Sequence, residues 1–182
     1  TLNDLQLHNN EFTGHIPEEL YELTLLQNLI LSWNDFTGTI SRKLGMLENL
    51  KGLHLFDTMM DGSIPSELGQ LKFLNFLRTH NNAFTGTIPT DITKLTGLRE
   101  WWNHQTLVTG AIPFHIGNLI ELELLYLNEC RLSGPLPPSF YNLTRLQQFY
   151  AWDNRNIFDE PISTGLNGTI SSDIGNMKAL RM

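Results

Sequence analysis

Apolar and polar positions along the chain recur with one fixed period, the twenty-four positions that separate Gly14 from Gly38. Each unit opens with an L-x-x-L-x-L run, passes an Asn and a Gly, and closes with an Ile or Leu that is often followed by Pro. The most regular marker is the glycine position: Gly14, Gly38, Gly62, Gly86, Gly110 and Gly134. A repeat of this length is typical of a solenoid, in which each coil buries its apolar side only against its neighbours. The pattern therefore predicts a single repeat domain over residues 1–182 with about seven coils.

The elements of one coil follow from the same pattern. The L-x-L segment alternates inward and outward side chains and predicts a short strand, and strands stacked about 4.8 Å apart form one parallel sheet. The Asn side chain can bond the backbone where the chain turns away from the sheet. Pro presets φ and predicts a short helical turn on the outer side. The predicted fold class is therefore an α/β solenoid.

Two coils depart from the pattern. The fifth has Trp101 and Asn103 at positions where most coils have leucine. The seventh breaks phase after Asn154 and resumes ten residues late, which predicts an insertion loop over residues 155–164. This segment is too apolar for a solvent-exposed linker that makes no contacts. We therefore expect it to fold back over the space beside Ala151 or to bind a partner.

The consensus L-x-x-L-x-L-x-x-N-x-L-x-G-x-I-P-x-x-L-G-x-L resembles the plant-type leucine-rich repeat family of receptor-kinase ectodomains, receptor-like proteins and polygalacturonase inhibitors. Similar repeats occur in algal and protist secreted proteins. The resemblance implies a right-handed superhelix with a concave main sheet, a short second sheet near T-G-x-I, and helical or 3-10 turns on the convex side. Family members usually carry cysteine-bearing caps. Since this chain has none, we expect a fragment of a longer protein, or ends covered by other repeats.

Charge and composition narrow the function. The formal charge is −7 and the basic residues form no cluster, which argues against nucleic acid or an anionic membrane as a partner. No run approaches the roughly 18–20 apolar residues that span a bilayer. The single cysteine, Cys130, falls at the Asn position of its coil and is expected to be structural. No nucleophile elbow, phosphate loop or H-E-x-x-H motif is present, so we expect neither an enzyme nor a cofactor.

The outward positions of the main sheet concentrate large side chains. Exposed aromatic residues lower solubility unless a partner covers them, and Trp, Tyr and Arg dominate binding hot spots. The sequence therefore predicts a ligand-binding face of eight residues: Phe56, Arg78, His80, Trp102, His104, Tyr126, Tyr150 and Trp152. The alternative is that these side chains only stack on one another across neighbouring strands.

Three histidines, His54, His80 and His104, should lie close together on this face. Three imidazoles can hold a metal, but no carboxylate completes a clear ligand set, so no metal site is predicted. A pH-sensitive interface is favoured instead, with partner binding that changes between about pH 5 and 7.5.

Two sequons mark candidate N-glycosylation sites, at Asn142 and Asn167. Together with the family resemblance they favour a secreted or cell-surface protein.

Threonines of the second strands, spaced by the repeat period, form a hydroxyl array similar to that of ice-binding solenoids. The complete pairs, Thr37 with Thr39 and Thr85 with Thr87, are not in adjacent coils. Because Thr is also a common residue on exposed strands, an ordinary β-ladder is the favoured interpretation.

The preferred function is extracellular recognition of a protein, peptide or glycan through the concave aromatic face. The main alternative is a structural or adhesive glycoprotein of a wall or filament, assembled through stacked repeats. An inhibitor of a secreted hydrolase is a third possibility.

Overall fold

One parallel sheet runs through every coil. The computed structural model describes residues 2–154 and 165–181, and in this part the sheet has seven strands in chain order. Equivalent residues pair at the repeat period, as Leu53 does with Leu77. The strands are Asp4–Gln6, Asn28–Ile30, Gly52–His54, Phe76–Arg78, Glu100–Trp102, Leu124–Tyr126 and Gln148–Tyr150. The predicted solenoid is confirmed, with a strand at each expected position.

Leucine side chains fill the interior between the sheet and the outer turns. Leu50, Leu53, Leu74 and Leu77 each expose 1% or less of their surface. Burying one such side chain contributes about 1.5–3 kcal/mol. The buried residues form one continuous cluster from Ile16 to Met177, so each coil depends on its neighbours for stability.

In three coils the asparagine at the end of the sheet segment joins its own coil to the preceding one. The side chain of Asn34 donates to the carbonyls of Leu7 at 2.8 Å and Leu31 at 3.0 Å, and it accepts from the backbone N–H of Phe12 at 3.0 Å. Asn82 and Asn154 make the same kind of contacts. These bonds replace those that the backbone loses where it leaves the sheet.

The weak fifth coil holds a buried polar group in place of leucine. Asn103 is fully buried. It accepts a hydrogen bond from the Thr79 hydroxyl at 2.7 Å and donates to the Thr106 hydroxyl at 3.2 Å. Because these partners satisfy its amide, the coil tolerates a polar residue in the core.

Every coil leaves the main sheet through a residue with left-handed backbone, with φ between 51° and 58°. The residues at this position are Asn9, Trp33, Asp57, Asn81, Gln105, Glu129 and Asp153. Asn and Asp tolerate this conformation, whereas other L residues are strained there by about 1–2 kcal/mol. Trp33, Gln105 and Glu129 are therefore less stable choices than Asn or Gly would be.

A second set of short parallel strands follows each turn. These strands are Thr13–Gly14, Asp35–Thr39, Met59–Ser63, Ala83–Thr85, Thr109–Gly110, Arg131–Leu132, Gly134–Pro135 and Leu166–Asn167. Partners here lie two positions short of a full repeat, as in Thr37 with Met59 and Thr87 with Thr109. Residues one full repeat apart therefore do not pair on the second sheet, because these strands slip by two residues per coil.

The last pair of short strands spans the predicted insertion. Gly134 pairs with Leu166. The spacing of the other pairs would give a partner ten positions earlier in the chain. Residues 155–164, and with them the expected fold-back over Ala151, lie outside the described residues.

The outer turn of each coil is a 3-10 helix. In the described residues the helices are Glu18–Glu22, Arg42–Met46, Ser66–Gln70, Thr90–Lys94, Ile116–Asn118, Pro138–Asn142 and Ser172–Asn176. In four coils the residue before the helix is a proline: Pro17, Pro65, Pro89 and Pro137. Ser41 and Ser171 take this place in two others and accept a backbone hydrogen bond. Among the described residues, none of the helices has the length and apolar character that crossing a membrane requires.

Candidate functional site

Four side chains stack along the outward side of the main sheet. The rings of Trp102, Tyr126 and Tyr150 lie nearly parallel, with centroids 5.1 Å and then 4.6 Å apart. The guanidinium carbon of Arg78 lies 4.2 Å from the centroid of the Trp102 ring. The four meet because strand pairing brings residues one repeat apart side by side.

A second stack lies beside the first. The His80 ring packs between Phe56 and His104, with centroids 4.5 Å and 4.4 Å away. Trp33 contacts Phe56 edge-on at 5.0 Å. Seven of the eight predicted binding residues therefore meet in two adjacent stacks. We refer to these stacks together with Trp152 as the aromatic face.

The exposure of these side chains differs from the sequence-based expectation at two positions. Phe56 exposes 8% and His80 exposes 7% of its surface, because rings on neighbouring strands cover them. The expectation that they offer open surface is therefore wrong. Tyr150 at 45% and Trp152 at 59% are open to solvent, and the other four members are partly buried. Stacking and exposure thus coexist on this face.

Polar contacts hold the first stack in place. The guanidinium of Arg78 donates to the carboxylate of Glu100 at 2.6 Å, and both side chains are about three-quarters buried. The hydroxyl of Tyr126 donates to the side chain of Gln148. Because stacked rings turn their faces to one another, they present their edges, which carry partial positive charge, to a ligand.

Several nitrogen atoms of the aromatic face are buried without a hydrogen-bond partner in the described part of the chain. They are Nε of Arg78, Nε1 of Trp102 and Nδ1 of His80 and His104. A buried polar group without a partner costs about 1–3 kcal/mol. Part of the hydrogen-bonding capacity of the face is therefore unused within the described residues.

His54, His80 and His104 are neutral near pH 7. Burial, with Arg78 and His8 adding to it, lowers the pKa of His54 to about 4. Burial lowers the pKa of His80 to about 3, helped by His104, Arg78 and His54. Burial also lowers the pKa of His104. The expected response between pH 5 and 7.5 is therefore wrong for His54 and His80, which titrate at lower pH.

These pKa values predict that acid weakens the fold. A histidine with a lowered pKa stabilises the native state fully above its unfolded pKa of about 6.5, and this contribution is lost as pH falls through the native pKa. The free energy of unfolding should decrease between pH 6.5 and the native values of about 4 and 3. His80→Phe keeps a ring in the stack and should reduce this decrease, measured by urea unfolding at several pH values. An unchanged pH dependence in the variant would contradict the assignment.

The described residues do not assemble a metal site, and the cysteine is closed to solvent. Within residues 2–154 and 165–181, no three His, Cys, Asp or Glu side chains are placed to share a metal ion. Cys130 is 3% exposed and its thiol donates to the carbonyl of Asn103 at 3.1 Å. Burial raises the pKa of this thiol, so it stays protonated and fills the Asn position as a small buried side chain.

Four side chains beside the aromatic face were not among the predicted site residues: Trp33, Asp57, Glu100 and Glu129. Asn81 donates to Asp57 at 2.8 Å, and Gln105 donates to Glu129 at 3.1 Å. Each of these pairs joins residues one repeat apart. For Asp57 and Glu129 the signal that could have identified them is the same repeat period, because acids and amides occupy the left-handed position of five successive coils.

The two candidate glycosylation sites are both exposed. Asn142 is the last residue of the 3-10 helix Pro138–Asn142, on the side away from the aromatic face. Asn167 lies in the short strand Leu166–Asn167. A glycan at Asn142 would leave the aromatic face open.

Comparison with known proteins places this geometry in a family. The family model described as Leucine Rich Repeat matches residues 1–23 and 121–143. The Arabidopsis receptor kinase HAESA, solved with the peptide hormone IDA and the co-receptor SERK1, superposes with a TM-score of 0.89. It is 30% identical over 98% of this chain and 28% of its own. The chain carries leucine-rich repeats, and its fold is that of plant receptor ectodomains.

Two further solved structures have a similar fold. The plant peptide hormone receptor RGFR1, in complex with RGF2, is 32% identical over 94% of this chain and 26% of its own, with a TM-score of 0.86. A plant ice-binding protein is 26% identical over 82% of this chain and 56% of its own, with a TM-score of 0.74. The chain spans about a quarter of the length of the receptor chains it matches. No curated protein matches it significantly.

Proposed function

We propose that this leucine-rich repeat segment is an extracellular recognition module that binds a peptide or protein segment on its aromatic face. The observation that carries the proposal is the pair of side-chain stacks, beside which the rings of Tyr150 and Trp152 are open to solvent. Large rigid rings provide contact area at a low entropic cost, and Trp, Tyr and Arg are enriched at binding hot spots. The similarity to peptide-hormone receptors supports this proposal over catalysis.

A glycan ligand fits the aromatic face less well. Sugar rings stack on open aromatic faces, but most ring faces here are covered by the next ring in the stack. The exposed atoms of the stacked rings are mainly ring edges, whose partial positive charge suits the carbonyl groups of a polypeptide. We therefore propose a polypeptide as the ligand.

Ice binding is not favoured, although a plant ice-binding protein has a similar fold. On the second sheet Thr37 pairs with Met59, and Thr109 pairs with Arg131. Met59 is 60% exposed, so it interrupts the hydroxyl array at the surface. A regular lattice of hydroxyl groups is therefore missing from the described rows.

An extracellular location would allow glycosylation of Asn142 and Asn167. We expect the secreted protein to lose mass on endoglycosidase treatment, and Asn142→Gln should remove one glycan. An unglycosylated secreted product would count against this part of the proposal.

Photo-crosslinking tests where a ligand binds. Peptides are selected on the protein from a random-sequence display library, and the tightest is resynthesised with a benzophenone side chain. Crosslinks should fall within residues 76–81, 100–105, 124–129 and 148–153. Crosslinks confined to the 3-10 helices, or a library without saturable binders, would overturn the proposal.

A further inference from the structure

The outward side of the main sheet is acidic. In each coil the outward positions are the first and third residues of the strand, and the second and third residues after the end of the strand. They carry five carboxylates and one guanidinium: Asp4, Asp57, Glu100, Glu129, Asp153 and Arg78. Five negative charges against one positive charge leave a net charge of −4. His54 and His80 add no positive charge at pH 7, because their pKa values are lowered.

Most of this charge lies along one edge of the aromatic face. We call the column Asp57, Asn81, Gln105, Glu129 and Asp153 the acidic margin. Its members lie on successive coils, and backbone hydrogen bonds join them to the next coil. The donors are the N–H groups of Asp57, Asn81, Gln105 and Glu129. In the described residues no Lys or Arg forms an ion pair with a member of this column.

The opposite edge of the sheet is different. Glu123 lies there directly before the strand Leu124–Tyr126, and two cations, Lys51 and Arg99, directly precede the strands Gly52–His54 and Glu100–Trp102. Neither forms an ion pair within the described residues, and Lys51 instead donates to Gln27. The negative potential is therefore concentrated on the side of the acidic margin.

An acceptor without a donor lies within the acidic margin. The amide of Asn81 uses its N–H to bond Asp57, while its buried Oδ1 has no donor within residues 2–154 and 165–181. The Asp57 carboxylate beside it is partly exposed and has no cationic partner in the described residues, so it suits a donor-rich cation such as guanidinium or ammonium.

The field of the acidic margin reaches the aromatic face. Burial lowers the pKa of His104, and the negative charges of Glu129 and Asp57 oppose this effect. The two carboxylates therefore act on the stack at the centre of the face. A cation bound there would gain from both negative charges.

The residue choice at Glu129 also needs an explanation beyond stability. Its φ of 52° is one that Asn or Gly adopts with less strain. Glu129 therefore adds charge at a position where a more stable residue was possible.

From these contacts we propose that the ligand of the aromatic face is a cationic, extended peptide segment whose Lys or Arg side chains bind Asp57 and Glu129. This inference rests on the proposed recognition function and adds the charge of the ligand. Asp57 and Glu129 are three coils apart, or about 14 Å at the strand spacing of a sheet. An extended peptide advances about 3.4 Å per residue, so the two basic residues should be about four positions apart.

Selection from a random peptide library tests the charge directly. Binders selected on the wild-type protein should be enriched in Lys and Arg, with pairs about four residues apart. Replacing the paired arginines of the best peptide by citrulline should weaken binding about tenfold or more. Affinity should also fall as salt is added.

A matched pair of protein variants separates a local effect from the overall charge. Asp57→Asn with Glu129→Gln should weaken the selected peptide about tenfold. Glu19→Gln with Glu48→Gln removes the same charge from exposed positions outside the aromatic face and its margins, and should change binding little. Circular dichroism verifies that both double variants remain folded.

Two outcomes would overturn the inference. Binders without basic enrichment that still crosslink to the aromatic face would refute the charge assignment and leave the proposed function intact. Equal losses in the two double variants would mean that only the overall charge matters. Binders that crosslink elsewhere would instead refute the proposed function itself.

Discussion

Trp101→Ala should lower the free energy of unfolding by about 3–5 kcal/mol. Trp101 is fully buried, and its strand pairs it between Leu77 and Leu125 in the inward row. Its coil already replaces a core leucine with Asn103, so the tryptophan supplies much of the apolar volume there. Removing the ring leaves a cavity that the rigid neighbouring coils cannot close. Urea unfolding followed by circular dichroism measures the change.

Trp33→Ala is the matched control for this prediction. Trp33 is 52% exposed and loses mainly an edge-on contact with Phe56, so its replacement should cost less than about 1 kcal/mol. A larger loss from Trp33→Ala than from Trp101→Ala would contradict the described core.

The triple variant Trp102→Ala, Tyr126→Ala, Tyr150→Ala should weaken the binding of a selected peptide by at least about 100-fold. The three rings form one stack, so the single losses will not add, but together they remove most of the contact area of the aromatic face. Calorimetry or surface plasmon resonance measures the affinity, and circular dichroism verifies that the variant is folded.

Leu25→Ala, Phe73→Ala, Ile120→Ala is the control for the triple variant. These side chains are 51%, 61% and 56% exposed and follow the 3-10 helices, away from the aromatic face. The control should bind like the wild type. Unchanged binding by the aromatic variant, or an equal loss in the control, would reject the aromatic face as the recognition surface.

The repeat period was enough to predict the main sheet and its outward columns. Because coils of equal length stack in register, Trp102, Tyr126 and Tyr150 had to become neighbours once the strands were placed. The role of the asparagines was also readable, since an amide at a turn has few other ways to satisfy the backbone. Asn34 and Asn82 confirm it.

The repeat period could not predict side-chain burial, pKa values or the pairing on the second sheet, because these depend on side-chain rotamers and on the local slant of the strands. Phe56 and His80 were expected to be open, but parallel packing against neighbouring rings buries them. That packing also lowers the pKa of His80, which the sequence pattern does not encode. On the second sheet, the slip of two residues per coil places Thr37 opposite Met59 rather than opposite the residue one full repeat along the chain.

The acidic margin shows a third kind of gap. Asp57 and Glu129 stood in the sequence at the repeat period, but their importance depends on backbone conformation. The left-handed turn places each of them after a strand, next to an amide that bonds it. A period alone does not distinguish this arrangement from an ordinary solvated acid.

The most direct measurement is a crystal structure of the protein with a library-selected peptide. The account predicts an extended peptide across the coils, in contact with Trp102 and Tyr126, with a basic side chain at Asp57 or Glu129. A peptide bound to the 3-10 helices or to the second sheet would contradict the account.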